Sequence, residues 1–383
     1  MNVFESDNLS IVLTCASGVE KVLKSEVKRL GYGEVPVVDG ELSLTADAQA
    51  VAKLNLNLRT ADRVYIRLKK FSVLSFDDLY DGVYSIDWKS VLTKNAKVIV
   101  NGKCVKSKIY AVSACQSIVK KAIVDKMSNK SNPYMLETGS VYAVQFNIFK
   151  DECEILLNTS GDGLHKRGYR DMVGIAPIKE TLASALLLLS DYYWERPFLD
   201  PFCGSGTIPI EATKIALNIA GSKGRKFAFE NWTNFDKKYL KLALDEAQDN
   251  EKLDRKIEIY GSDIDKKAIE LSKRHLDRAG LSGRVKFSVC DAKNIKPVLK
   301  DAVIVTNPPY GVRVYDKKEA EECYKSLGSF VRQSQGCSAF VITPHKGFEK
   351  NFGKKADRIR KLYNSNVECN YYFYYGKKEQ KND

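Results

Sequence analysis

Histidine is nearly absent: His165, His275 and His345 are the only three in 383 residues, and they lie too far apart to form a metal-ligand set. The nine cysteines make no CxxC pair and no disulfide-like pattern. Several fall in stretches that read as strand or helix, as small apolar residues of a reducing compartment do. No apolar run approaches a membrane span; the longest, residues 182–189, is far too short and contains Ser184. The first residues, Met1-Asn2-Val3-Phe4-Glu5-Ser6-Asp7, carry acids and no basic region of a secretory signal. These gaps predict a cytoplasmic protein with no metal and no membrane partner. A 44% hydrophobic and 28% charged composition is that of a globular chain, and the length predicts two or three domains.

Proline is also scarce, ten in all, yet two of them are adjacent. Residues 302–305 form an apolar, β-branched run that reads as a buried strand, and it ends in Thr306-Asn307-Pro308-Pro309-Tyr310-Gly311. Two consecutive prolines fix φ twice and remove two backbone donors, so the chain leaves the sheet in a stiff extended turn. A bare Pro-Pro pair is only such a turn. Here it also presents an amide, free carbonyls and a phenol ring at the carboxyl edge of a strand, where ligands bind in open α/β sheets. Acceptors beside a flat ring suit an exocyclic amine on a planar base, bonded at its edge and stacked on its face.

Upstream, residues 198–207 read as strand, turn and helix start, with Cys203, Gly204, Ser205, Gly206 and Thr207 forming the turn. The third glycine of a dinucleotide fingerprint is missing. Pro209 stands in its place, which argues against a pyrophosphate lying on this helix. Acids stand at three successive strand tips: Asp200, able to face a cationic amine or sulfonium; Asp263, placed for two ribose hydroxyls; and Asp291, placed for an adenine amine. Singly, each acid is an ordinary helix cap or loop residue. Together with the glycine turn they describe a nucleoside pocket without a phosphate cradle, which S-adenosylmethionine fits. Asn307 would border that pocket, and Asn307, Pro308 and Tyr310 would hold the target amine by positioning, without a strong base.

Positive charge is concentrated. The +13 formal charge includes ten lysines against one acid, Asp125, between Trp88 and Lys130. Lys89, Lys94, Lys97, Lys103, Lys106, Lys108, Lys120 and Lys121 mark a candidate polyanion-binding face, and a solvated lysine-rich face is the alternative. A second basic run, His165, Lys166, Arg167 and Arg170, follows the glycine-rich segment 159–163, which reads as a hinge. Alternating strands and helices before residue 160 suggest two small α+β modules. After it they follow a doubly wound parallel sheet, with residues 358–363 and 368–375 closing as an antiparallel hairpin through Asn364-Ser365-Asn366. A helix is expected to open at Ala176-Pro177 and run to Leu189.

With these pieces assembled, the chain resembles the THUMP-domain class I RNA methyltransferases and is similar to bacterial 23S ribosomal RNA guanine-N2 methyltransferases. The resemblance covers nearly the whole chain. It rests on Gly18-Val19-Glu20 with Glu26, Leu58-Arg59-Thr60-Ala61-Asp62-Arg63, and Ser160-Gly161 through Arg170. It continues in Ala176 to Thr181, Asp200 to Thr207 with Glu211-Ala212, Phe227 to Trp232, and Asn307 to Gly311. It implies an N-terminal ferredoxin-like domain (1–60), a THUMP RNA-binding domain (61–158), a linker (159–177) and a Rossmann-like methyltransferase domain (178–383). The implied activity is methylation of a guanosine N2 amine in 23S ribosomal RNA. Transfer RNA as substrate, adenine N6 as target, and a non-catalytic RNA-binding assembly factor stay open as alternatives, as does the oligomeric state. Family members commonly place an acid before the arginine after Tyr310-Gly311; this chain has Val312-Arg313.

Overall fold

The computed structural model describes residues 2–38, 40–128, 135–170, 178–295, 300–310 and 317–376. Ala176, Pro177, Lys130, Gly311, Val312 and Arg313, all of which figure in the sequence reading, lie outside these residues. The chain forms two compact units that are not simply successive in sequence. One comprises residues 1–15, 24–164 and 225–246, the other residues 16–23, 165–224 and 247–383.

The first unit is built on β1 (Leu9–Cys15), β2 (Val37–Val38), β3 (Glu41–Ala46), β4 (Ala61–Ser72), β5 (Lys97–Val105), β6 (Val141–Phe149) and β7 (Glu152–Asn158). Its helices are α1 (Glu20–Arg29) from Lys24 onward, α2 (Ala48–Asn57), α3 (Phe76–Tyr84), α4 (Trp88–Val91) and α5 (Val112–Met127). The sequence pattern suggests two modules here, but the strands form one sheet in the order β2-β3-β1-β4-β7-β6-β5. The reason is the length of β4: it is long enough to pair with β1 through residues 61–66 and with β7 through residues 65–72. The expected hairpin of β6 and β7 forms, with Lys150 and Asp151 at its turn both at positive φ (52° and 64°), as a two-residue turn requires.

Polar side chains fix the turns of this unit. Glu26, buried on α1, accepts from the backbone amides of Arg59 (2.9 Å) and Thr60 (3.0 Å) and from the Thr60 hydroxyl. That carboxylate thereby ties α1 to the entrance of β4. Asn55 donates to Thr159 Oγ1 and accepts from Ser160 Oγ, while the Val64 amide donates to Ser160 Oγ. The segment expected to be a hinge is therefore tied down: Arg225 also donates to the carbonyls of Ser160, Asp162 and Gly163. The aromatic insertion joins the same unit. Trp232 is fully buried, stacks on Tyr142 at 4.8 Å and donates from Nε1 to the Val141 carbonyl. Its burial removes a large apolar surface from water, the dominant favourable term in such a core.

The second unit carries α6 (Glu180–Leu189), β8 (Phe198–Asp200), α7 (Thr207–Ala216), β9 (Ile259–Asp263), α9 (Lys266–Arg278), β10 (Lys286–Val289) and β11 (Val303–Thr306). It ends in α10 (Lys317–Gln333), β12 (Ser338–Thr343), α11 (Phe348–Phe352), β13 (Arg358–Asn364) and β14 (Val367–Tyr374); α8 (Lys238–Asp249), which precedes β9 in the chain, falls mostly in the first unit. Its sheet runs β10-β9-β8-β11-β12-β14-β13, parallel through β12 and antiparallel in the last two strands. This is the doubly wound sheet closed by an antiparallel hairpin that the strand pattern predicts, and the Rossmann-like arrangement that the resemblance implies. Strand order reverses at β8 and β11, so their carboxyl ends face one crevice. The core beside them includes Leu199, Ile304, Tyr324, Val341, Phe348 and Tyr372.

Removing the Glu26 carboxylate strands two backbone donors and a hydroxyl in a buried place. Glu26→Ala is expected to lower unfolding stability by about 3 kcal/mol in denaturant melts, the scale of a buried charge-assisted cluster. A change under about 0.5 kcal/mol would show that the cluster contributes nothing net.

Candidate active site

The turn after β8 explains its own glycines. Gly206, the N-cap of α7, sits at φ 82°, and a Cβ there would come within 2.8 Å of Ser272 Cβ. Gly204, at φ 50°, is the opposite case: an added Cβ would meet nothing within 4 Å, so open space lies over the turn. The Cys203 amide donates to the Ser262 carbonyl and the Gly206 amide to the Cys203 carbonyl, which folds the turn back onto β9. Ser205 places its carbonyl 3.0 Å from His275 Nδ1 of α9. Thr207 and Cys203 are buried, and burial pushes the Cys203 thiol well above its usual range.

Two of the three predicted acids accept from backbone amides of the glycine turn. Asp263, closing β9, accepts from the Gly204 amide at 2.9 Å and from the Asp265 amide at 3.0 Å, one on each oxygen. Asp200, only 1% exposed at the end of β8, accepts from the Phe202 amide at 3.1 Å and from Thr306 Oγ1 at 2.6 Å. Burial raises both carboxyls, Asp200 to about 7. Asp291 lies just beyond β10, whose Val289 is paired with Asp263, and caps a short 3-10 helix through the Lys293 amide. One residue before Asp263, the buried Ser262 hydroxyl has no hydrogen-bond partner among the described residues.

Asn307, Pro308 and Tyr310 follow Thr306 directly, so the Thr306–Asp200 bond joins the proline turn to the strand that carries the glycine turn. The Tyr310 hydroxyl donates to Asn307 Oδ1 at 2.6 Å, and Tyr324 on α10 donates to the Pro309 carbonyl at 2.6 Å. Burial raises the Tyr310 phenol above its usual range, which keeps it protonated as a donor. Thr306 adjoins the motif in sequence, and its bond to Asp200 spans 106 positions of chain. Nothing in the local sequence marks Tyr324, fifteen residues from its partner.

The basic run after residue 164 is corrected in part. Arg167 is 2% exposed and stands 3.9 Å from Glu211, with its Nη1 donating to Ser222, so it faces inward and presents nothing to RNA. Glu211 also accepts from Tyr169 (3.1 Å) and Ser184 (2.7 Å). Arg170 pairs with Glu180 at 3.2 Å. The run is an internal anchor for α6 and α7; of its four basic residues Lys166 is exposed and His165 half-buried. In the first unit Lys89, Lys94, Lys97, Lys103, Lys106, Lys108 and Lys121 are exposed as predicted from charge. Lys120 is committed to Glu137 and the Val98 carbonyl.

Raising the Asp200 carboxyl to about 7 has a definite sign. Between about pH 4 and 7 the folded protein holds a proton that the unfolded chain has released, so this group's contribution to stability falls as pH rises through that window and is flat above it. Denaturant melts of ligand-free protein should therefore decline from pH 4 to 7 more steeply than those of Asp200→Asn. Parallel curves would refute the assignment.

Comparison with known proteins adds names to these parts. Residues 167–372 match the UPF0020 family, described as an RMKL-like methyltransferase domain, residues 10–65 the RlmL ferredoxin-like domain, and residues 74–158 the THUMP domain. "Putative RNA methyltransferase YpsC" of Bacillus subtilis is 41% identical over 96% of both chains. "Ribosomal RNA large subunit methyltransferase K/L" of Shewanella frigidimarina is 31% identical over 93% of this chain, which spans only 51% of that protein. Among solved structures, the "predicted N6-adenine-specific DNA methylase" of Listeria monocytogenes superposes with a TM-score of 0.93 at 40% identity, over 98% of each chain. SMU.472, "a putative methyltransferase complexed with SAH", gives 0.93 at 34% identity over 98% of this chain and all of that one.

Proposed function

Because the chain belongs to the RMKL-like methyltransferase family, with RlmL-type ferredoxin-like and THUMP domains ahead of it, we propose that it methylates the N2 amine of a guanosine in 23S ribosomal RNA. The cofactor is S-adenosylmethionine, which supplies a sulfonium-activated methyl group when bound. The residues fit it: open space over Gly204, two acids bonded to the turn's amides, and a buried hydroxyl with unused capacity beside Asp263. Asp263 presents its carboxylate to the ribose hydroxyls, Asp200 offers negative charge to the cationic end, and Asp291 is the acceptor for the adenine amine. Cys203, Ser205 and Thr207 line the turn.

One observation carries the reading: the 2.6 Å bond from Thr306 to Asp200 sets the acceptor turn beside the cofactor turn. Asn307 Oδ1 and the Pro308 carbonyl accept the two amine hydrogens, which directs the nitrogen lone pair outward, and the Tyr310 ring stacks on the base. Positioning of this kind supplies the rate, and the proton leaves to water after transfer. A base in a duplex hides this edge, so the target is flipped or unpaired. The exposed lysines of the first unit hold the RNA by its phosphates. The name of the Shewanella relative favours ribosomal RNA; that of the Listeria structure favours adenine N6 as a second reading.

Asn307→Ala is expected to lower turnover about 100-fold while S-adenosylmethionine affinity, measured by calorimetry, stays within a factor of about two, well below the tenfold that 1.4 kcal/mol represents. Equal loss of both would make Asn307 part of the cofactor pocket. Mass spectrometry of nucleosides from a deletion strain assigns the substrate. N2-methylguanosine should disappear from ribosomal RNA; its loss from transfer RNA alone, or loss of N6-methyladenine instead, would overturn the assignment. Absence of cofactor binding by the wild type would leave only a non-catalytic RNA-binding role.

A further inference from the structure

The tip of the last hairpin reaches the proline turn. Asn364 is the last residue of β13, the outermost strand, separated from β11 by β12 and β14, and it is 9% exposed. Its Nδ2 donates to the Tyr310 hydroxyl at 3.3 Å, and that hydroxyl donates to Asn307 Oδ1 at 2.6 Å. A phenol carries one proton. With the Asn364 amide filling its acceptor side, that proton points at Asn307 and holds the oxygen end of the Asn307 amide toward Tyr310. One lone pair of Oδ1 is thus engaged and the other is left with a fixed direction. The carbonyl side of the same turn is held separately, by Tyr324 from α10.

We propose that Asn364 is a positioning residue for methyl transfer, acting through Tyr310 to set the direction in which Asn307 Oδ1 accepts the target amine. The inference rests on the reading that Asn307 is that acceptor. Asn364 touches no substrate; it aims the group that does. Chains of this kind polarise one another, so reversing one link affects the far end. Asn364→Asp has nearly the same shape but only acceptor oxygens when ionised, so it draws the Tyr310 proton away from Asn307. Asn364→Ala merely removes the donor.

The test is steady-state methylation by the full chain, with S-adenosylmethionine and ribosomal RNA purified from a deletion strain. Asn364→Asp should lower kcat about tenfold and Asn364→Ala about fivefold, the scale of one hydrogen bond. KM for RNA and calorimetric affinity for S-adenosylmethionine should change less than about twofold, well under the tenfold of 1.4 kcal/mol, which also shows that the variants fold. In a Tyr310→Phe background the Asp substitution should cause no further loss, because the relay is already cut. Unchanged kcat in Asn364→Asp, matching losses of kcat and cofactor affinity, or full additivity with Tyr310→Phe would each overturn the proposal. If Asn307→Ala itself keeps turnover, the reading beneath it fails, a result separable from failure of the relay alone.

Discussion

The hydrogen bond from Thr306 to Asp200 is the constraint on which the catalytic unit depends. It is buried and short, and it joins the ends of the two central strands, β8 and β11. The residues that follow Asp200 make the glycine turn; those that follow Thr306 make the proline turn. A shift at either end would move one turn against the other, and reactions governed by positioning are sensitive to displacements of that size. The placement has an electrostatic cost. Desolvation raises the Asp200 carboxyl to about 7, and neither the hydroxyl nor the Phe202 amide fully offsets it. A carboxylate kept where its charge is disfavoured is a common mark of a functional site.

A second buried cluster holds the helix that the glycine turn opens. Glu211 lies on α7 and gathers Tyr169, Ser184 and the Arg167 guanidinium around it, while Glu180 at the start of α6 pairs with Arg170. Such ions contribute little net stability when complete but are costly to break, since removal of one leaves an unpaired buried charge. Their effect here is to specify how the segment from Arg167 to Arg170 lies against α6 and α7. That segment looks like a nucleic-acid patch in the sequence because its charges are read without their partners.

In the first unit the division of labour falls on opposite kinds of residue. Apolar positions of β6 (Tyr142, Val144, Phe146 and Ile148) are buried, whereas Lys97 and Lys103 of the edge strand β5 stay in solvent. The long strand β4 fuses what the pattern suggests are two modules into one sheet, with Glu26 and Asn55 fastening the segments on either side of it. Nothing local to β4 marks it as shared. Pairing on both edges depends on which strands arrive beside it.

Much was legible in the sequence by itself. Apolar, β-branched runs placed the strand ending at Thr306 and both strands of the last hairpin within a residue, and glycine, proline and acidic residues at strand tips marked both turns, because those features act through the local backbone. Net charge found the exposed lysines. Only the tertiary structure decided which charges are buried: Arg167 meets Glu211 across 44 positions of chain, and no local pattern encodes that meeting. It also brought Tyr324 and Asn364 to the proline turn from a helix and from the tip of the last hairpin. Hydrogen bonds between residues far apart in the chain are set by packing, which the pattern of any one segment does not contain.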